Sequence, residues 1–503
     1  MFWADRIASE IEEKFGKPKE PLVIRDEKTP SGRVHIGSMR GVAIHGALSE
    51  ILSERGVKNS FFYEFNDIDP MDGFPEYLPE SFRAYMGMPL MRIPSPDGKA
   101  KNFAEYFANE FKEVIIAAGF KPEFYNVSEL YLSGKMDESI RVALTHAAEI
   151  RRIYKEVSGS IKPDDWYPLS VICENCGKVG TTKVFAFDGE KVSYRCEERM
   201  VKWAEGCGHE GSISPFGGNA KFPFKVEWPA KWKVMEVKVE GAGKDHSTKG
   251  GARDVAAHIA KEVFNYEPPF DAPYEFLLVG GRKMSSSKGR GSSAAEIAAL
   301  VPAKILRLAL LGKDINQQFN FDPEGDTIPV LYDLYDKLAE GYKTTKDDDY
   351  ARLFELIHPE TVPELGQLPR FSQVAFVVQM PHMNLDQEFP HADKAELNER
   401  AKYAKRWLSE YAPEKYVFKL QEALPDSARQ IDDEQKRALA TLADFIEREH
   451  PDAEALHAKL HELKVFKTIY LAFLGKESGP KAGWFLSSLD KAFVLKRLRE
   501  AMR

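Results

Sequence analysis

Pro21-Leu22-Val23-Ile24-Arg25-Asp26-Glu27-Lys28-Thr29-Pro30-Ser31-Gly32 opens with a short apolar run and closes in a turn cluster, so it reads as a buried strand ending in a tight loop. From about Gly37 to Arg55 the apolar residues Met39, Val42, Ile44, Leu48, Ile51 and Leu52 fall largely on one helical face, with Gly56 where a C-terminal cap belongs. Asn59 to Phe65 returns as a strand. Strand, loop, helix and strand make one βαβ unit, the element of a parallel sheet whose ligands bind beyond the strand ends.

Working outward, Asp137 to Val157 carries Ile140, Leu144, Ala147, Ile150 and Tyr154 at helical spacing. An insertion runs from about 160 to 225. Lys233 to Val239 reads as a strand, Gly241 and Gly243 as a loop, Val255 to Phe264 as a helix and Glu275 to Val279 as a further buried strand. The two βα halves predict an α/β, Rossmann-like doubly wound parallel sheet. Beyond about residue 330 helix patterns dominate, as in Asp433 to Glu449 with Leu439, Leu442, Ala443 and Ile446; Val374 to Val378 is the one strand candidate. Lys346 to Asp349 and Gln367 to Pro369 read as loops. The division expected is 1–159 and 226–330 for the halves of the sheet domain, 160–225 for the insertion and 331–503 for an all-helical domain.

At 503 residues the chain has length for roughly three packed units at about 150 residues each, and 43% apolar with 29% charged residues describes an ordinary globular protein. A net charge of −8 leaves nucleic-acid contact to local patches. No run of about 18 apolar residues exists, so no membrane association is expected. The start, Met1-Phe2-Trp3-Ala4, lacks the apolar core of a signal peptide, and the chain reads as cytoplasmic.

Two loops carry chemistry. Thr29-Pro30-Ser31-Gly32-Arg33-Val34-His35-Ile36-Gly37-Ser38 lies between the first strand and its helix, where a glycine, free helix N–H groups and an imidazole can meet phosphates. Lys283-Met284-Ser285-Ser286-Ser287-Lys288-Gly289 follows the strand at 275–279 and gathers cations and hydroxyls able to follow the charge of a triphosphate as it breaks. Taken singly, each also reads as a turn or a solvated loop. Together, some 250 residues apart and one in each half, they resemble the HIGH and KMSKS signatures of class I aminoacyl-tRNA synthetases. Ser38 replaces the last residue of the first signature and Ser286 the internal lysine of the second, which leaves the division of labour between Lys283 and Lys288 open.

Further segments extend the resemblance from about residue 20 to 486: Asn66-Asp67-Ile68-Asp69-Pro70-Met71, Phe224 to Trp232, Pro273-Tyr274-Glu275-Phe276 and Gly475 to Trp484. In order along the chain, they resemble the class I lysyl-tRNA synthetase family. The resemblance implies ATP-dependent formation of lysyl-adenylate and transfer to tRNA(Lys), with Mg2+ accompanying ATP. It assigns catalytic roles to His35, Gly37, Lys283 and Lys288. ATP contacts fall to Pro30, Ser31, Gly32, Asp245, Met284, Ser285, Ser286 and Ser287 besides those four. Around lysine it places Thr29, Asp67, Asp69, Trp228, Asp245, His246 and Tyr274. A monomer is expected. Two other readings stay open: another amino acid such as glutamate, and a noncatalytic RNA-binding paralogue favoured by Ser38 and Ser286.

All four cysteines fall in the insertion, as Cys173-x2-Cys176, Cys196 and Cys207-Gly208-His209. Clustered thiols in a cytosolic chain point to structural zinc, with His209 competing for the fourth position and metal-free buried cysteines as the alternative. Residues 479–503 hold six Lys or Arg against two acids, a basic stretch that either tracks phosphates or is a solvated face. The family resemblance implies a helical anticodon-binding domain here; Trp407 and Trp484 could stack on splayed bases, with packing between helices the favoured reading for either.

Overall fold

The strand expected at Leu22–Ile24 runs on through its charged continuation and becomes β1 (Leu22–Lys28) in the computed structural model, which describes residues 1–281, 293–345, 348–380 and 383–503. It follows α1 (Trp3–Phe15) and leads through a short 3-10 turn at Ile36–Ser38 into α2 (Met39–Glu54), β2 (Asn59–Phe65), α3 (Phe103–Ala117) and β3 (Glu123–Asn126). Residues 39–48 of α2 are buried all round, because the helix packs between the sheet on one side and α1 on another. Burial of Val42, Ile44, Leu48, Ile51 and Leu52 contributes about 1.5–3 kcal/mol each before chain entropy is charged against it. The helix stops at Gly56, whose φ of 73° suits a residue without a Cβ.

The single helix expected over Asp137–Val157 is broken at His146 into α5 (Asp137–Thr145) and α6 (Ala147–Ser158), preceded by the short α4 (Val127–Leu132). The insertion contains two small antiparallel sheets, β4 (Ser170–Val171) with β8 (Ala220–Lys221), and β5 (Thr182–Phe187), β6 (Val192–Cys196) and β7 (Glu210–Ile213) in that order.

After it, Phe224–Val234 is a helix, α7, which takes in the Lys233 start expected for the next strand. The i, i+4 pairs Glu227/Lys231 and Trp228/Trp232 fall on one face and outweigh Pro229, which removes one backbone bond. The strand is confined to β9 (Val237–Val239), which is followed by α8 (Ala252–Glu262). The central sheet is parallel with order β3-β2-β1-β9. Extended chain continues it, through parallel bridges between Val239 and Phe270 and between Gly243 and Tyr274. Gly241 permits this closeness, since a Cβ there would lie 2.3 Å from the Ala272 carbonyl oxygen.

The strand expected at Glu275–Val279 is β10 (Leu277–Val279). It pairs in parallel with β11 (Phe319–Phe321) rather than with the central sheet, and α9 (Ala294–Ala298) and α10 (Ala303–Leu311) lie between the two in sequence. The second half therefore contributes less regular sheet than the first.

The chain divides into two compact units, Met1–Phe321 with Gly341–Val362, and Asp322–Glu340 with Pro363–Arg503. The boundary expected at residue 330 falls inside α11 (Thr327–Thr344). In the first unit α12 (Asp349–Leu356), capped by Asp348, holds Arg307 through the Leu356 carbonyl at 2.9 Å. The second unit is helical among the described residues: α13 (Phe371–Val377), α14 (Leu385–Glu388), α15 (Lys394–Glu410), α16 (Asp433–Glu449), α17 (Ala453–Leu463), α18 (Phe466–Phe473), α19 (Ala482–Ser487) and α20 (Lys491–Ala501). Val374–Val378, read as a strand candidate, is helix because Phe371, Val374 and Ala375 turn one face into a buried cluster at helical spacing. The α16 expectation coincides with the helix and its four buried residues. Trp407 is fully buried with its indole donating to the Pro323 carbonyl, so it presents no stacking face. Trp484 is half-buried beneath the Lys481 ammonium. Arg497 is 1% exposed and caps the Ala472, Gln421 and Glu422 carbonyls, which removes one cation from the basic stretch. No described helix is long and apolar enough to cross a membrane.

Gly241→Val is expected to lower the melting temperature by several degrees, a cost of about 2 kcal/mol or more, because the new side chain meets a backbone carbonyl rather than a yielding side chain. Differential scanning calorimetry reads this directly; an unchanged transition would show that the 270–274 segment is free to move away.

Candidate active site

Side chains alternate across a strand, so Arg25, Glu27 and Thr29 share one face of β1 while Ile24, Asp26 and Lys28 share the other. On β2, in register with Glu27 opposite Glu64, the first face continues through Glu64 and Asn66. α7 supplies Glu227, Trp228 and Lys231 to this face, and α2 supplies Gly41 and His45 to the other.

Between β1, β2 and α7 lies a charge network with almost no access to water. The Arg25 guanidinium, 0% exposed, donates to Glu27 Oε2 at 2.6 Å, Glu64 Oε2 at 2.7 Å, Glu240 Oε1 at 2.7 Å and the Tyr125 hydroxyl at 2.9 Å. Lys231 Nζ donates to Glu64 Oε1 at 2.6 Å and to Glu27, and stands 3.5 Å from Glu227. Lys221 Nζ reaches Glu227 at 2.8 Å and Asp69 at 2.9 Å. Glu240 also accepts both indole N–H groups, of Trp228 at 2.8 Å and Trp232 at 2.7 Å. Burial by itself would raise the Glu27 carboxyl, but Lys231 and Arg25 hold it well below the ordinary carboxylate range. Burial prevails at Glu64, whose carboxyl is pushed up. Glu227 is held low by Lys221 and Lys231 against the same burial, and Lys231 is raised by Glu27 and Glu64.

Beyond the carboxyl ends of the central strands opens a cavity of about 520 Å³. Of the residues singled out from sequence, Thr29, Ser31, His35, Gly37, Trp228, Asp245, His246 and Tyr274 line it. Pro30 and Gly32 belong to the same turn but not to the wall. Asp69 stands behind Thr29, accepting its hydroxyl at 2.6 Å. Asp67 is buried and not among the lining residues; it accepts the Ser128 N–H at 2.9 Å and hydroxyl at 2.6 Å, which orders the start of α4. Lys283, Met284, Ser285, Ser286, Ser287 and Lys288 lie outside the described residues. Their flanks are placed: Leu277 lines the cavity, and Ser293 pairs with His35 while Ala294 N–H donates to the Val34 carbonyl at 2.7 Å. Ser293 and Ala294 therefore lie against the first signature loop.

Sequence reasoning gave no site role to Asp26, Glu27, Lys28, Arg40, Asn66, Phe224, Glu240 and Phe276, all of which line the cavity, although Asn66, Phe224 and Phe276 lie in the segments that carry the family resemblance. The signal was present in Arg25-Asp26-Glu27-Lys28, a run of four charges continuing an apolar strand in a parallel sheet, where burial demands partners. His45 ties the two halves together: Nδ1 meets the Gly41 carbonyl at 2.8 Å, and Nε2 accepts the Gly241 N–H at 2.8 Å, which selects the neutral Nδ1–H tautomer.

In the insertion the Sγ atoms of Cys173, Cys176, Cys196 and Cys207 lie within 4.8 Å of one another and none is disulfide-bonded. Cys173 to Cys207 and Cys176 to Cys196 are both 3.7 Å, close to the edge of about 3.8 Å for a tetrahedron with metal–sulfur bonds of about 2.3 Å. The Cys207 N–H points at Cys196 Sγ at 3.3 Å, the second-layer donor expected of a thiolate. His209 is not in this group; its ring lies against Tyr194 and its carbonyl accepts from Cys196.

The central parallel sheet carries a cavity at its carboxyl edge, with the first signature loop in its wall. The profile of the family described as tRNA synthetases class I (K) matches residues 1–360, and the chain belongs to that family. It is 34% identical to a lysine–tRNA ligase of Methanosarcina barkeri over 100% of this chain and 98% of the relative. It is 32% identical to one of Methanocaldococcus jannaschii over 99% of each, and 31% identical to one of Thermoplasma acidophilum over 100% and 99%. Among solved structures, a glutamate tRNA ligase from Elizabethkingia meningosepticum aligns over 96% of this chain and 99% of its own, with 13% identity and a TM-score of 0.45.

Lys231→Met leaves Glu27, Glu64 and Glu227 without their common cation and is expected to destabilise the first unit by about 3–5 kcal/mol. The pH dependence follows from the lowered carboxyls. Glu27 and Glu227 contribute stability that is complete above an unfolded value near about 4.3 and is lost as pH falls toward their lower native values. Melting temperatures from about pH 3 to 8 should show this acid loss in the wild type and a smaller one in Lys231→Met; parallel profiles would contradict it.

Proposed function

We propose that the protein is a lysine–tRNA ligase that activates lysine with ATP at the cavity beyond β1 and β9 and transfers it to tRNA(Lys). The observation carrying the choice of lysine is the treatment of Arg25. A side-chain carboxylate needs a free cation, yet this guanidinium is closed off by Glu27, Glu64 and Glu240. The wall instead offers Asp26, Glu27, Glu240 and Asp245 against Lys28 and Arg40, with Phe224, Trp228 and Tyr274 to cover an aliphatic stem. Among the described residues of the wall, the carboxylates outnumber the Lys and Arg side chains. The full-length likeness to lysine–tRNA ligases supports the same reading.

In the first step the lysine carboxylate attacks the α-phosphorus of ATP, forming the acyl phosphate bond as the bond to pyrophosphate breaks. In the second, a terminal ribose hydroxyl of tRNA attacks the acyl carbon, its proton is released and AMP leaves. Both steps need alignment and charge stabilisation rather than a side-chain nucleophile. His35 and Gly37 are assigned to the phosphates at the helix entrance, with Pro30, Ser31 and Gly32 shaping the loop. Asp245 is assigned to ribose or to the α-ammonium. Lys283 and Lys288, with Met284 and Ser285 to Ser287, are assigned to the departing pyrophosphate. Mg2+ accompanies ATP.

The 160–225 insertion is read as a zinc module with Cys173, Cys176, Cys196 and Cys207 as ligands, the metal supplying rigidity and no chemistry. The helical residues 331–503 are read as the anticodon-binding part, and the whole as a cytoplasmic monomer.

Lysine-dependent pyrophosphate exchange tests the activity, run with and without tRNA because the family likeness implies that tRNA promotes activation. Lys288→Ala is expected to slow exchange by at least about tenfold while lysine KM stays within about twofold, and an unchanged rate would refute the role given to Lys288. Metal analysis should find one zinc per chain in the wild type and a marked loss in Cys176→Ser; a full complement in that variant would exclude the four-thiolate site.

A further inference from the structure

We infer that Lys28 is a further catalytic residue of the activation step, its ammonium binding a nonbridging oxygen of the ATP α-phosphate and of the acyl phosphate formed from it. The inference rests on the ligase reading and deepens it, since no role for Lys28 comes from the family likeness.

Lys28 is the last residue of β1, in register with Phe65 at the end of β2, so it stands where the sheet gives way to the cavity. Alternation along the strand sends its side chain away from the face of Arg25, Glu27 and Thr29 to the face of Ile24 and Asp26, against which α2 packs. The first signature loop enters α2 on that side, and Lys28 shares the cavity wall with His35, Gly37 and Ser38. What distinguishes Lys28 is that its charge is uncommitted. No acceptor among the described residues is hydrogen-bonded to its Nζ, and the half-buried side chain is not sealed off, whereas the unpartnered Arg40 Nε is. The remaining Arg40 nitrogens donate to the Leu310 carbonyl, to that of Asp314 at 2.9 Å and to that of Lys313 at 3.2 Å. Asp26, two residues back on the Lys28 face, is turned to other partners: it accepts the Glu27 N–H at 2.8 Å, stands 3.7 Å from His45 Nδ1, and leans on α2 so closely that a Cβ at Gly41 would lie 2.5 Å from its Oδ2.

Activation brings two anions together, a carboxylate and the α-phosphate it attacks, in a cavity whose described wall already carries Asp26, Glu27, Glu240 and Asp245. A cation fixed at the point of attack offsets that repulsion and is in place before the bond forms. Lys283 and Lys288, assigned to the departing pyrophosphate, act at the other end of the bond that breaks. Burial pulls the Lys28 ammonium below its usual range, with Asp26 opposing, so an anion set beside it restores the charged form. The lysine carboxylate oxygen bonds to the α-phosphorus, the bond to pyrophosphate breaks, and Lys28 donates hydrogen bonds throughout without giving up a proton.

Lys28→Met and Lys28→Arg in the full-length chain test this, and since Lys28 takes no part in the Arg25 network both are expected to fold. In lysine-dependent pyrophosphate exchange with tRNA present, Lys28→Met should lower kcat by at least about tenfold and leave the lysine KM within about twofold, with Lys28→Arg recovering part of the loss. Calorimetric titration separates a phosphate contact from a structural role. Lysinol adenylate, which keeps the charged phosphate, should bind Lys28→Met at least about tenfold more weakly than wild type, while adenosine and lysinol, which lack it, stay within about twofold. A kcat within about twofold of wild type in Lys28→Met overturns the inference. So does an equal loss for all three ligands, and so does a raised lysine KM at unchanged kcat, which would place the ammonium on the amino acid alone. Wild type that supports exchange with another amino acid and not with lysine overturns the lysine reading instead, and the same comparison made with that amino acid still decides the role of Lys28.

Discussion

Arg25 sits in the middle of a parallel sheet with no exposed surface, held by Glu27 from its own strand, Glu64 from β2 and Glu240 just beyond β9. Removing a guanidinium from water costs several kcal/mol, and three carboxylates with a tyrosine hydroxyl offset that cost only because all four are aimed at it. The carboxylates in turn need Lys231 and the indoles of Trp228 and Trp232, which is why α7 must lie over this face. One buried cation thus fixes the position of three strands and a helix, and it sets the charge of the cavity above it.

Such a network is a poor source of net stability, since an apolar core of the same volume would serve as well or better. Its consequence is chemical. It closes Arg25 to ligands and leaves Glu27 as the partly exposed carboxylate at the end of β1. The donors of Asn66 and Thr29 are spent on Glu227 and Asp69.

The first βαβ unit was legible because apolar periodicity and turn residues agree there: β2 and α16 coincide with their expected bounds, and the signature loop at Thr29–Ser38 does line the cavity. Legibility failed where tertiary partners decide. Phe224–Val234 contains a proline and no clean apolar stripe, and its helix is specified by pairs that meet a sheet built from residues some 160 positions away. Asp67 and Asp69 look equivalent in sequence, yet one orders Ser128 and the other holds Thr29, since they lie beyond β2 with different neighbours. Glu27 and Asn66 escape a reading based on apolar periodicity, because the apolar run of β1 ends at Ile24 while the strand itself continues. The four cysteines were readable as a group, but the exclusion of His209 required the fold of β6 and β7.

The most direct test of a cavity made for a cationic amino acid is charging of total tRNA by the purified full-length chain with each of the twenty labelled amino acids, in the presence of ATP and magnesium. Lysine alone should label tRNA. Label from glutamate or another amino acid would contradict the claim that a cavity whose buried Arg25 is closed off by carboxylates takes lysine.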